Sequence, residues 1–319
     1  MKNFILLEKK VPKKIFNQFR IDKALSKLFP ICSRNYFKRC IHKGYVLVNN
    51  IIIKSPDFKI MEGDILNVKK FFKKDKSLVS EKINLSIVYE DKFLLIINKP
   101  SSLVVHPGYG NKHNTLLNGL IFYYKNIKKI PQTGIVHRLD KDTTGLIIIA
   151  KTISSYFILK KMIKLRKINR EYDAVVLGKI KFGDVINAPI KRHKFYRTHM
   201  TVSLDGRNAV THYKVRKKFS TCTWLKIRLE TGRTHQIRVH MLYIKHPIVG
   251  DKKYKYYLNF FKDLNNNSKL FNVIKNFPRQ ALHASKLKFF HPITNKKMSF
   301  KIGLPQDMIE LIYKLDQKI

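Results

Sequence analysis

Acidic residues are scarce in this chain: 21 Asp and Glu stand against 65 Lys and Arg, a formal net charge of +44. Such an excess attracts polyanions. The same chain is also heavy in Lys, Asn, Ile, Phe and Tyr together, the set that A/T-rich codons produce, so charge alone does not establish a nucleic-acid ligand. Cysteine is nearly absent too. Cys32, Cys40 and Cys222 are odd in number and have no CxxC spacing, which excludes a disulfide framework or a cysteine zinc site and fits a reducing compartment. Long apolar runs are missing, which excludes a bilayer span. Near the start only Phe4 to Leu7 is apolar, with Glu8 and lysines directly after it and no small-residue cleavage site, so a secretory signal is not expected. A cytoplasmic, soluble, monomeric protein is expected. His235 and His240 lie five residues apart without carboxylate company, and His-x-x-x-His spacing is absent, so a metal site is not expected. No internal repeat is visible.

What is present has the length for two domains, one with a substantial core. Residues 1 to about 17 read as a basic leader without pattern. Phe19, Ala24, Leu25, Leu28 and Phe29 form a helical stripe that Pro30 ends, and Ser33 is a plausible N-cap for a second helix stopped at Gly44. Tyr45 to Ile53 reads as two strands around an Asn49-Asn50 turn, and Gly63-Asp64 precedes another strand. Phe71 to Asn84 is polar and reads as a linker. Two strands then run to Asn98-Lys99-Pro100, Thr115 to Tyr124 and Ser154 to Lys167 read as helices, and alternating strands occupy much of the remainder. Lys252 to Pro278 reads as an insertion loop rich in Asn, Lys, Tyr and Phe.

The chain is organised around His137-Arg138-Leu139-Asp140-Lys141-Asp142-Thr143-Thr144-Gly145, a polar stretch feeding the β-branched run Leu146 to Ala150. A loop entering a buried strand is rigid at one end, which suits residues that must be held in place. A partly buried carboxylate at Asp140, with Arg138 and Lys141 beside it, is a candidate nucleophile. On their own chemistry these residues read more readily as an ordinary loop with an Asx-turn at Asp140 or Asp142 and solvated charges.

Resemblance to known proteins narrows that choice. The stretch 137–145 resembles the catalytic motif of the RluA-type pseudouridine synthases, whose Asp is the nucleophile; that role falls on Asp140. Arg170-Glu171-Tyr172 resembles the family motif whose Tyr sits against the target base. Tyrosine suits that place, because its face stacks while its hydroxyl can reach a sugar proton. Thr231-Gly232-Arg233-Thr234-His235-Gln236-Ile237-Arg238 resembles the motif whose Arg pairs with the nucleophile, which is carried to Arg233. Asn98 to Gly108 resembles the family's first motif and makes His106 a candidate substrate contact. Arg138 and Leu139 flank the nucleophile as substrate contacts, with Arg138 placed to fill the gap left by a flipped uridine. The basic loop around Arg192 and Arg197 is a candidate RNA-backbone contact or an exposed hairpin.

The helix-helix-strand order of residues 18–80 resembles an S4 domain, a small RNA-binding module. Arg20, Lys23, Arg34, Lys38, Arg39 and Lys43 match its basic face and are expected on phosphates. The resemblance spans roughly residues 18 to 315. It implies an α+β protein with an S4 domain at 18–80 and a pseudouridine synthase domain at 85–319, with a mixed, largely antiparallel sheet and flanking helices. It also implies isomerisation of uridine in RNA by base flipping, without cofactor or metal, through C1′ attack or through elimination with Tyr172 as base. Arg279 to Ala284 and Pro305 to Met308 resemble the branch acting on 23S ribosomal RNA or its large-subunit precursor, at the helix 69 loop, as part of ribosome biogenesis. Competing readings are another RNA target, a non-catalytic RNA-binding assembly factor, and an RNA methyltransferase. The last is weak because no Gly-x-Gly-x-x-Gly follows any strand.

Overall fold

Apolar residues keep helical spacing only up to about residue 42 and alternate for a stretch thereafter, and the fold follows that change. The computed structural model describes residues 4–12, 18–29, 34–71, 79–108, 110–254 and 269–317. It separates into two units, Met1–Leu78 and Val79–Ile319.

In the N-terminal unit, helices α1 (Ile21–Leu28) and α2 (Arg34–His42) follow the short strand β2 (Phe19–Arg20). Their apolar stripes bury Ile21, Leu25, Phe37 and Ile41 against Val46, Leu66 and Val68. Each such side chain contributes about 1.5–3 kcal/mol of burial. Strands β3 (Val46–Val48) and β4 (Ile51–Ile52) turn through Asn49 and Asn50. Both turn residues have positive φ, the conformation a two-residue hairpin demands and Asn tolerates. After β5 (Lys59–Ile60) and β6 (Ile65–Phe71), the sheet order is β1-β6-β3-β4, antiparallel throughout.

Two expectations are corrected here. The leader is a strand, β1 (Phe4–Lys10), paired with β6 from Phe4↔Phe71 to Lys10↔Ile65. It lies at the sheet edge, where charged residues such as Glu8, Lys9 and Lys10 discourage further pairing, and those charges hid the strand pattern. The first helix begins at Ile21 because Phe19 and Arg20 pair with Ile60 and Lys59. Pro30, Cys32 and Ser33 lie outside the described residues.

In the second unit, residues expected to be linker run beside α3 (Leu116–Tyr123): Asn118 Nδ2 donates to the Val79 carbonyl and Glu81 N–H to the Asn118 carbonyl. The main sheet has the order β11-β14-β15-β10-β16-β9-β8-β7, with β17 (Lys297–Lys301) also on β16. In chain order these strands are β7 (Ile87–Glu90), β8 (Leu94–Lys99), β9 (Thr144–Ala150), β10 (Asn169–Leu177), β11 (Asp184–Asn187), β14 (Val210–Lys218), β15 (Cys222–Leu229) and β16 (Leu282–Phe290). β12 (Ile190–Arg192) and β13 (Met200–Val202) form a separate hairpin.

Every pairing in the main sheet is antiparallel except one. β9 and β16 run parallel through His283↔Thr144 and Ala284↔Gly145, which joins two antiparallel halves at a seam. The seam is tight. Gly145 has φ +114°, and a Cβ there would lie 2.3 Å from the Ala284 carbonyl oxygen, so no other residue fits. β9 is buried on both faces, with Ile147, Ile148 and Ile149 fully enclosed, as an internal strand requires. The remaining helices are α4 (Ile153–Lys164), α5 (Gln236–Tyr243), α6 (Lys269–Lys275) and α7 (Gln306–Asp316). The stretch read as an insertion loop therefore contains a helix, α6, while residues 255–268 lie outside the described residues.

Candidate active site

Asp140 lies four residues before Thr144, the first residue of β9 and of the parallel seam. Its loop is clamped by buried polar side chains from far along the chain. Lys99 Nζ donates to the carbonyls of Pro100, Leu103 and Lys141 at 2.7, 3.0 and 2.8 Å. Those three acceptors match the three protons of an ammonium, although burial, opposed by Asp142 and Asp140, pushes this lysine down to about 7. Arg279 Nη1 donates to the Asp142 carbonyl at 3.2 Å while its Nε and Nη2 hold Asp307. Gln280 Nε2 donates to Thr143 Oγ1 at 3.0 Å. These bonds fix the loop backbone that follows Asp140.

The guanidinium on that carboxylate belongs to Arg238. Its Nη1 donates to Asp140 Oδ2 at 2.9 Å, and its Nε and Nη2 grip Asp251 at 2.7 and 2.8 Å. Asp251 in turn accepts the backbone N–H groups of Lys253 and Tyr254, and the Tyr254 ring lies 5.0 Å from the guanidinium carbon. Burial pushes Asp251 up, but the hydrogen bonds and charge of Arg238 outweigh it and hold the carboxyl below its ordinary value. The expected Arg233–Asp140 pair is thus a correction. Arg233 lines the cleft, but its Nε donates to the Asn208 carbonyl at 3.0 Å. The reason is local: His235, at φ +56°, caps α5, so Arg233 precedes the helix and Arg238 lies inside its first two turns.

The other oxygen of Asp140 is freer. His235 Nε2 stands 3.9 Å from Oδ1, too far for a hydrogen bond. The Tyr254 hydroxyl accepts the Met200 N–H at 2.8 Å and hydrogen-bonds His235 Nδ1 at 2.7 Å. Burial pushes His235 down to about 4, so the ring is neutral at pH 7.

Tyr172 comes from β10 at the one irregularity in its pairing with β16, between Glu171 and Asp173. Such a bulge re-aims a side chain. Tyr172 is buried, its hydroxyl has no hydrogen-bond partner among the described residues, and it lines the same cleft as Asp140. Burial pushes its phenol up; the charge of Arg170 opposes this and that of Asp140 adds to it. The cleft holds about 470 Å³ and is lined by Arg138, Leu139, Asp140, Tyr172, Arg233 and Arg238 among others. Lys160, Lys164 and Arg166 give its rim a strongly cationic character. A second cavity of about 940 Å³ opens on the other side of Asp140, lined by Arg138, Lys141, Lys252, Lys253 and Arg279.

This geometry is matched by relatives. A family described as RNA pseudouridylate synthase matches residues 93–243, and the S4 domain matches residues 19–66. A relative named ribosomal large subunit pseudouridine synthase D, from Buchnera aphidicola subsp. Acyrthosiphon pisum (strain APS), is 52% identical over 93% of this chain and 94% of its own. The Vibrio cholerae protein of that name is 43% identical over 93% of this chain and 91% of its own. The chain belongs to the RNA pseudouridylate synthase family. It is an RNA pseudouridine synthase, an isomerase, with an S4 domain before its catalytic domain. The fold agrees: the solved human RNA pseudouridylate synthase domain containing 4 superposes with a TM-score of 0.56 at 22% identity, covering 72% of this chain and 92% of that one.

Within the catalytic unit, His106, Arg192 and Arg197 are not among the residues lining the cleft. His106 lines neither cavity; burial, with Arg138 and Lys160 in support, lowers its pKa. Arg192 and Arg197 are exposed on the β12–β13 hairpin, where Arg192 Nη1 donates to the Arg197 carbonyl at 3.2 Å. In the S4 unit, Arg20, Arg34 and Lys38 surround one buried carboxylate, Asp22, with Arg34 bonded at 3.0 and 3.2 Å and Lys38 at 3.8 Å. Sequence reasoning missed Lys99, Asp251, Tyr254 and Arg279 as parts of the site. Lys99 lay in a quoted motif, but nothing in the pattern around Asp251 and Tyr254 marked them.

Proposed function

We propose that this chain converts uridine to pseudouridine in large-subunit ribosomal RNA, at the helix 69 loop, with Asp140 as nucleophile. The observation that carries the reading is Asp140 itself. One oxygen is fixed at 2.9 Å by Arg238, the other faces a cationic cleft, and Tyr172 lies on the same cleft wall. A carboxylate so held is oriented without being consumed by its partners. The cationic rim suits a phosphate backbone, and a cavity of about 470 Å³ admits one flipped nucleoside. The names of the relatives support the large-subunit target.

Asp140 meets the sugar and assists cleavage of the N1–C1′ bond; the freed uracil turns, C5 bonds to C1′ and loses its proton, and N1 gains one, so the net change is an isomerisation. Tyr172, whose phenol is raised by burial, keeps its proton at neutral pH and serves as a stacking platform for the base. Arg138 is exposed beside the nucleophile and enters the stack where the uridine has left. The exposed sides of Arg20, Arg34 and Lys38 position the RNA through phosphates. The protein works as a cytoplasmic monomer in ribosome biogenesis. No helix among the described residues is long and apolar enough to cross a membrane.

The test maps pseudouridines by derivatisation and primer extension on a large-subunit RNA transcript treated with wild type or Asp140→Asn. Pseudouridine in the helix 69 loop with wild type alone is expected. Modification elsewhere keeps the reaction and discards the target. Tight binding with no pseudouridine from either protein overturns the catalytic reading.

A further inference from the structure

Arg170 is a buried guanidinium in the cleft wall that has no acidic partner among the described residues. It stands two residues before Tyr172 on β10, is only 7% exposed, and lines the cleft. Its Nε is enclosed without a hydrogen-bond partner, and no ion pair or hydrogen bond to its other nitrogens is found among the described residues. Both acids of the cleft lining have other partners: Asp140 is held by Arg238, and Glu230 gives one oxygen to Arg166 at 2.9 Å and the other to His212 at 2.6 Å. Space has nonetheless been cleared for the group. A Cβ at residue 232 would lie 2.8 Å from Arg170 Nη1, although Gly232 has no unusual backbone angle, so the glycine makes room for this guanidinium. A buried, unpaired cation is costly, and it is retained where a ligand brings the missing anion.

We propose that Arg170 is the seat of a backbone phosphate adjoining the reacting uridine. The proposal rests on the reading of the cleft as an RNA site. A full buried charge calls for a full anion, and the planar fork of a guanidinium matches two phosphate oxygens. A uracil carbonyl carries only a partial charge and leaves most of the arginine uncompensated. The cations Lys160, Lys164, Arg166 and Arg233 line the same cleft, so a strand entering there meets positive charge along its path. Arg170 and Tyr172 stand two residues apart on β10 and line the same cleft, so a phosphate on Arg170 would lie close to the base platform.

The experiment uses the full chain and an RNA stem-loop around the uridine that wild type converts. Single methylphosphonate linkages remove one phosphate charge at a time. With wild type, one linkage beside the target is expected to weaken binding and raise KM by about 10- to 100-fold. Arg170→Gln should show the same loss on unmodified RNA and become indifferent to that linkage, while Arg170→Lys retains part of both. The wild-type scan needs no variant, so misfolding of Arg170→Gln cannot decide the outcome. Equal tolerance of wild type to every neutral linkage overturns the proposal. So does an Arg170→Gln protein that remains sensitive at the same linkage. A loss confined to kcat, with the linkage pattern unchanged, assigns Arg170 to the base instead. Absence of pseudouridine from wild type counts against the catalytic reading alone, because the phosphate seat is also read from binding.

Discussion

Asp22 in the N-terminal unit and Asp140 in the catalytic unit are both carboxylates held by arginine, yet they are set up for opposite ends. Asp22 is fully buried, and Arg20, Arg34 and Lys38 converge on its two oxygens. Burial pushes it up, but the bonds from Arg34 and Arg20 prevail and hold it below its ordinary value. Nothing is left over: the acid is an anchor that gathers cations on one face. Asp140 is 16% exposed, takes one bond from Arg238, and presents its other oxygen to the cleft. The difference lies in which lone pairs remain free, since the residue type and the partner type are the same. Arg238 makes this possible because Asp251 absorbs the rest of its fork, so it orients Asp140 without enclosing it.

Substitutions can break that contrast. The largest effect is expected from Asp140→Asn, which keeps shape and removes the charge: turnover should fall on the order of 10⁴-fold or more with RNA affinity retained, measured by single-turnover tritium release. Asp22→Asn should leave the chemical step alone. Its expected outcome is a melting temperature of the N-terminal unit lower by about 5 °C or more, together with weaker RNA binding. A chemical rate that falls with Asp22→Asn would dissolve the contrast.

Next in size is the pair of arginines. Arg238→Lys cannot serve Asp140 and Asp251 together and should cut kcat about 100-fold, whereas Arg233→Lys should cost less than about 10-fold. The reverse order would return the pairing role to Arg233.

The smallest effect is a pH dependence confined to the catalytic unit. Burial pushes His137 down to about 3, and His235 and His283 down to about 4. Unfolded, each returns to about 6.5, so between about 4 and 6.5 the unfolded chain binds more protons. Stability is therefore complete above pH 6.5 and is lost as pH falls, by up to about 1.4 kcal/mol per pH unit for each group. Calorimetry from pH 7.5 to 4.5 checks this. His283→Gln should flatten the slope, and the N-terminal unit should show none of it from these groups.

Much of this protein was determined by sequence alone. Residues 137–150 announce a polar loop entering a buried strand, because side-chain chemistry and β-branched runs are local properties. Asn49-Asn50 announces its hairpin for the same reason, and Tyr172 stands in its motif. Other features had no local signature. The strand Phe4–Lys10 is a strand because β6 offers it a partner, and its lysines mask the alternation. Between Arg233 and Arg238, five residues apart in one motif, only the left-handed turn at His235 and the position of Asp251 select the partner of Asp140. Lys99, Arg279 and Gln280 hold the Asp140 loop from 40 or more residues away, and the unanswered charge of Arg170 is visible only once Glu230 is seen to be occupied. Pattern reports what a residue can do; which lone pairs and donors remain unspent is a sum over neighbours that only the folded chain supplies.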